Sequence, residues 1–128
     1  MKHEETCTYE VCKLAQEKGF NVQTFDWYDY TGNYNKGFVP HKLYECPRYK
    51  EYYAPTQSLL QRWLREKKNI HIEIIATASG YYWCVNKTNG TSITDSDVLN
   101  RGNNEGGCFD TYELALEDAL KYALENLV

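Results

Sequence analysis

Nowhere does the sequence approach the ~20 successive apolar residues of a bilayer-crossing helix. Near its start it sets acidic Glu4 and Glu5 where a signal peptide would carry an apolar run. Both features point to a cytoplasmic protein with no membrane partner. The usual core formers are scarce: Leu, Ile, Val and Phe together make up 26 of the 128 residues. That share lies close to the level at which a chain can stay disordered. The five cysteines, Cys7, Cys12, Cys46, Cys84 and Cys108, form no C-x-x-C and no Cys/His pair at zinc spacing, and an odd number of them suits reduced thiols. No cofactor and no metal is expected.

What fills the deficit is aromatic: 12 Tyr, 3 Trp and 4 Phe. At 128 residues the chain is too short for a (β/α)₈ barrel and suits a single domain, 1–128. The net charge of −4 gives no support to a generally basic nucleic-acid binder. It conceals an asymmetry, however, because residues 1–35, 36–68 and 69–128 carry net charges of −3, +5 and −6.

Three segments have helical periodicity. From Thr8 to Lys18, Val11, Leu14, Ala15 and Lys18 share one side, Gln16 and Glu17 turn away, Thr8 can cap the start and Gly19 the end. The second helix is expected from Ala54-Pro55, with proline at its first position, to Lys68. Its apolar stripe is Leu59, Leu60, Trp63 and Leu64, and its polar surface includes Gln57, Gln61, Arg62, Arg65 and Lys68. For the third, near 110–126, Asp110 and Glu113 make a capping box and Phe109 can staple onto Leu114, ahead of a stripe that runs from Tyr112 to Leu127.

Strand signals are clearest where Ile70 to Ala76 alternates and a link, Thr77 to Gly80, leads into Tyr81 to Lys87. Closing that hairpin sets Ala76, Ile74 and Ile72 opposite Tyr81, Trp83 and Val85 on an apolar face. Ile75, Glu73 and His71 then oppose Tyr82, Cys84 and Asn86 on a mixed one. Asn89-Gly90 can turn the chain into a third strand at Thr91 to Thr94. Weaker extended segments are Asn21 to Trp27 and Phe38 to Tyr44, and residues 96–107 form a polar, glycine-rich loop. The expectation is an α+β fold, a small antiparallel sheet of two to four strands packed against three α-helices.

The run Ala54-Pro55-Thr56-Gln57-Ser58-Leu59-Leu60-Gln61-Arg62-Trp63-Leu64-Arg65-Glu66, continued by Asn69-Ile70-His71-Ile72, resembles small uncharacterised proteins of phages and prophages in gut Bacteroides-type bacteria. Phe109 to Leu120 and the opening Tyr9 to Leu14 are similar to the same family. The resemblance implies a phage or mobile-element context and brings no residue roles with it.

No motif names a reaction, and no catalytic residue is assigned. Gly102, Gly106 and Gly107 lack the Lys-Ser/Thr of a phosphate loop, and Asp95-Ser96-Asp97 lacks the Gly and Glu of a calcium loop. His71, Glu73 and Cys84 can be drawn as a catalytic trio, but sheet cysteines are more often small buried apolar residues than nucleophiles. Asp26 and Asp29 among Trp27, Tyr28 and Tyr30 have the composition of a sugar pocket without a second carboxylate pair. The basic and aromatic 36–68 region, with Lys36, Lys42, Arg48 and Lys50 followed by Arg62, Arg65, Lys67 and Lys68, could stack bases and track phosphates of a single-stranded nucleic acid. The favoured expectation is protein–protein interaction, with a protein partner or a second copy, because Tyr and Arg are the residues on which such surfaces rely. Nucleic-acid binding comes next, ahead of an enzyme or carbohydrate-binding module of unrecognised type.

Overall fold

Thr8 opens the first helix, α1 (Tyr9–Glu17), by accepting a hydrogen bond from the Val11 N–H at 3.4 Å. Gly19, at φ +104°, closes it. Its N–H donates to the Gln16 carbonyl at 3.1 Å while Phe20 N–H reaches back to Ala15 at 2.9 Å, and Phe20 is buried. That pair of hydrogen bonds with an apolar follower is the ending for which the Gly-Phe pair is suited. The computed structural model describes residues 5–37 and 51–128, and the chain divides into two compact units, Met1–Thr56 and Gln57–Val128.

In the first unit, α1 is followed by three dipeptide strands, β1 (Trp27–Tyr28), β2 (Tyr34–Asn35) and β3 (Tyr52–Tyr53), in the antiparallel order β2–β1–β3. Of the expected strand from Asn21 to Trp27, only Trp27 is in a ladder, and Phe38 to Tyr44 lies outside the described residues. Gln16, expected to turn away from the stripe, binds β3 instead: its Nε2 donates to the Glu51 carbonyl at 2.9 Å and its Oε1 accepts from Tyr53 N–H at 3.2 Å. Val11, Cys12, Ala15, Tyr52 and Tyr53 are buried.

The second unit opens with α2 (Gln57–Lys68), two residues later than Pro55 suggested. Residues 54–56 are drawn into extended pairing, with Pro55 accepting from Cys7 N–H at 3.0 Å and Thr56 bridging Thr6, so the proline stands outside the helix. Gln57, expected on the polar surface, is buried; its Nε2 donates at 2.9 Å to both the Glu113 carbonyl and Glu117 Oε1. Asn69 at φ +58° ends the helix, as a left-handed asparagine can.

The sheet of this unit is antiparallel, β4 (Ile70–Thr77), β5 (Gly80–Lys87) and β6 (Ser92–Asp95), in sequence order. Its hairpin register is the expected one, Ile72 with Val85, Ile74 with Trp83 and Glu73 with Cys84. Thr77 and Gly80 themselves pair, so only Ala78 and Ser79 turn the chain. Ile70, Ile72, Trp83 and Val85 are buried against α2 and α3 (Tyr112–Asn126), whose inward residues include Ala115, Leu116, Ala119, Leu120, Ala123 and Leu124. The small alanines permit close approach to the strands, and full burial of each large apolar side chain contributes roughly 1.5–3 kcal/mol.

The α3 cap is Thr111 rather than Asp110: Thr111 Oγ1 accepts from Leu114 N–H at 3.1 Å. With Thr111 as the cap, Phe109 stands one residue before the N′ position; its backbone pairs with Tyr81 at 2.7 and 2.9 Å, and Leu114 is 52% exposed. Asp110 instead accepts from Asn104 Nδ2. Among the described residues the α+β class holds, with two antiparallel sheets and three α-helices.

Candidate functional site

Period-two alternation gives the β4–β5–β6 sheet two unlike faces. One is the apolar face against α2 and α3. The other carries His71, Glu73 and Ile75 of β4, Tyr82, Cys84 and Asn86 of β5 and Asp95 of β6, and neither α2 nor α3 covers it. Its side chains are half-buried or exposed. Cross-strand register arranges them in rows: His71 with Asn86, Glu73 with Cys84 and Asp95, Ile75 with Tyr82.

A cleft lies at each end of this face. At the hairpin end, about 370 Å³ is lined by Thr77, Tyr82, Asp95, Asp97, Glu105 and Cys108 among others. At the other end, about 280 Å³ is lined by Arg65 of α2 with His71, Glu73, Asn86, Lys87 and Thr88. The first cleft is acidic; the second wraps round the end of the sheet, where Arg65 of α2 and Lys87, which pairs with Ile70 and so belongs by register to the helix-covered side, stand near Glu73.

The acidic cleft is held by a folded loop. Ser96, fully buried, accepts from Trp83 N–H at 3.0 Å and donates to the Gly107 carbonyl at 2.8 Å. Gly107, which ends a 3₁₀ turn at Glu105–Gly107, has φ +71°, and a Cβ there would come within 2.4 Å of the Asp97 nitrogen. Asp95 Oδ1 accepts from Val98 N–H at 2.7 Å, and Arg101 carries the loop onto α3 through two bonds to Asp118, 2.7 and 2.8 Å long. Asp97 and Glu105 are therefore presented from a braced backbone, both exposed.

The possible catalytic trio is brought onto one face but not into a working arrangement. His71 Nε2 meets Glu73 Oε1 at 3.2 Å rather than the Cys84 sulfur. Burial, followed by the neighbouring Glu73 and Asp95 carboxylates, pushes the Cys84 thiol above its ordinary range. At neutral pH this cysteine is a protonated thiol, the wrong form for a nucleophile. Among the described residues no group of three or more His, Cys, Asp or Glu is placed to hold a metal ion, and no disulfide forms.

Asp26 and Asp29 build turns. Asp26 accepts from the Tyr34 hydroxyl and from Gly37 N–H at 3.1 Å. Asp29 accepts from the Thr31 hydroxyl, from Thr31 N–H at 2.9 Å and from Asn33 N–H at 3.0 Å. The Thr31 hydroxyl, then the Asn33 N–H, hold the Asp29 carboxyl below its usual range.

Much of the aromatic excess is committed internally. Tyr9 meets Tyr28 and Tyr52 edge-on at 5.6 and 5.7 Å, Tyr28 meets Tyr34 at 5.3 Å, and the Tyr28 hydroxyl donates to the Cys7 carbonyl at 2.8 Å. Of the basic, aromatic 36–68 region, Lys42, Arg48 and Lys50 lie outside the described residues, and Lys36 is exposed in the first unit. On α2, Arg62 pairs with Glu66 at 2.9 Å, Lys68 lies 5.4 Å from the Trp63 ring centre, Lys67 is exposed, and Arg65 lines the second cleft. Sequence reasoning missed Lys87, Asp97 and Glu105 as cleft residues. The acidic 69–128 block was an advance sign of Asp97 and Glu105, whereas Lys87 runs against the sign of that block.

Among the described residues no helix is long and apolar enough to cross a membrane. No protein-family model, curated protein or solved structure matches the chain.

Proposed function

We propose that this chain is a small cytoplasmic accessory protein of a phage or other mobile element, and that it acts by binding protein through the open face of the β4–β5–β6 sheet. The observation that supports the reading is the half-buried pair Ile75 and Tyr82 on a sheet face that neither α2 nor α3 covers, beside an acidic cleft that Tyr82 itself lines. An aromatic and an aliphatic side chain supply desolvation energy, and charged rims orient the partner and speed its approach. The protonated Cys84 and the turn-building roles of Asp26 and Asp29 favour binding over catalysis.

The test is affinity capture with the full chain in parallel with an Ile75→Lys/Tyr82→Lys variant. A partner, foreign or self, that is retained by the native chain and lost by the folded variant fits the reading. Equal capture by both removes the open face from the account.

A second reading, single-stranded nucleic acid, draws on Arg65 and Lys87 in one cleft. It requires anisotropy of a labelled strand to rise with protein at low salt and to fall as salt releases the phosphate contacts. No rise at low salt rejects it.

A further inference from the structure

We infer that the partner of the open β4–β5–β6 face presents an arginine, seated in the acidic cleft at the hairpin end, with an apolar residue beside it over Ile75. The inference rests on that face being a protein-binding surface and names the chemistry that the surface takes. Cleft and face are continuous: Thr77, Tyr82 and Asp95 line the first and lie on the second by alternation and register.

The charge of this surface has one sign. Asp95, Asp97 and Glu105 line the cleft, and no Lys, Arg or His does. The face adds Glu73, which meets His71 at 3.2 Å. Arg101, on the same loop as Asp97 and Glu105, is committed to Asp118 by two bonds of 2.7 and 2.8 Å. Lys87 belongs by register to the helix-covered side. The Asp97 and Glu105 carboxylates are exposed, and neither has a hydrogen-bond or ion-pair partner among the described residues. A cation brought in from outside is attracted by all three cleft carboxylates and relieves their mutual repulsion. A second copy presenting the same face, or a phosphate backbone, meets repulsion instead.

Arginine suits the cleft better than a compact cation. Its planar guanidinium stacks on an aromatic ring and bonds a carboxylate through two parallel N–H groups. Tyr82 supplies the ring, and Asp97 and Glu105 supply the carboxylates. The space, about 370 Å³, has room for a whole side chain, whereas no group of three or more acidic, Cys or His residues is placed for a metal ion among the described residues. Ser96 braces the loop through Trp83 and Gly107, so little ordering is left to oppose binding. In an extended segment, side chains two residues apart point the same way and stand about 6.6 Å from one another. With arginine in the cleft, an apolar residue two positions away reaches Ile75, the cross-strand neighbour of Tyr82.

The probe is a synthetic peptide, Gly-Arg-Ser-Leu-Ser-Arg-Ser-Leu-Gly, titrated into the full chain while amide proton–nitrogen spectra are recorded. Peptide concentrations up to about 2 mM resolve a submillimolar affinity. The expected result is saturable shifts at Ile75, Thr77, Tyr82, Asp95, Asp97 and Glu105. Affinity should fall at least tenfold when citrulline, the neutral analogue, replaces arginine. It should fall as far in the Asp97→Asn/Glu105→Gln variant, and between about 20 and about 500 mM NaCl, where the Debye length shortens several-fold. Glu17→Gln/Glu125→Gln removes the same charge from exposed positions that do not line the cleft and should leave the affinity unchanged.

Four outcomes overturn the inference. They are an absence of shifts at low salt, equal affinity for the citrulline peptide, native affinity in an Asp97→Asn/Glu105→Gln variant that keeps the native unfolding temperature, and equal losses in that variant and in Glu17→Gln/Glu125→Gln. Shifts of the face on concentrating the chain without peptide would seat a second copy there and overturn it too. If the inference falls while a captured protein is still lost on Ile75→Lys/Tyr82→Lys, the face binds a partner of other chemistry and its binding role stands. Equal capture by the native chain and that variant overturns both.

Discussion

The indole Nε1 of Trp83 donates to Asp118 Oδ2 at 2.9 Å, and the same carboxylate takes a two-pronged bond from Arg101. A single side chain of α3 thus joins the centre of the sheet to the loop that carries the acidic cleft. The Tyr122 ring completes the assembly, 5.3 Å from Trp83 and 5.5 Å from the Arg101 guanidinium.

Asp118→Ala should cost about 2–3 kcal/mol, because it leaves an indole N–H and a partly buried guanidinium without their acceptor. Urea denaturation of the variant is expected to show a lower midpoint at unchanged slope. A midpoint equal to the native one would mean that the three groups are solvated independently.

Leu64→Ala and Leu120→Ala each empty a fully buried site and should destabilise by about 2–5 kcal/mol through the cavity left behind. The same denaturation measurement applies, and an unmoved curve would contradict the placement of α2 and α3 against the sheet.

Gly107→Ala and Gly106→Ala form a matched pair. Both glycines have φ +71°, but an added Cβ at Gly106 meets nothing within 4 Å. Gly106→Ala should cost about 1–2 kcal/mol of left-handed backbone strain. Gly107→Ala adds the clash with Asp97 and should lower the unfolding temperature further. Equal melting temperatures would show that the loop yields without cost.

Alkylation of Cys84, followed by peptide mass mapping, should be slow at neutral pH and should accelerate only above the ordinary thiol range. The sign follows from the causes: burial and two carboxylates disfavour the thiolate, so the folded state holds the proton to higher pH. The contribution to stability is present at low pH and is lost as pH rises through the raised value. Glu73→Gln removes a secondary cause and should quicken the reaction only modestly. Fast alkylation at neutral pH would reopen a nucleophilic role.

Parts of this fold were legible because one rule governed them. The hairpin register follows from period-two alternation and the short link, which leave Ile72 opposite Val85 and Glu73 opposite Cys84. Gly19-Phe20 announced the end of α1 in the same direct way. The cap of α3 was misplaced by one residue because Asp110 and Thr111 are adjacent and both competent. Strands of two residues, such as Trp27–Tyr28, are too short to show any period. The Arg101–Asp118 pair spans 17 residues, and Asp97 and Glu105 meet only through the loop fold, so pattern rules had nothing to act on.

The most direct measurement of the central claim compares amide proton–nitrogen spectra of the full chain before and after addition of the protein that it captures. The account predicts shifts gathered on the open face, at His71, Glu73, Ile75, Tyr82, Cys84, Asn86 and Asp95. Shifts gathered instead on the outer side of α3 around Leu114 would contradict it.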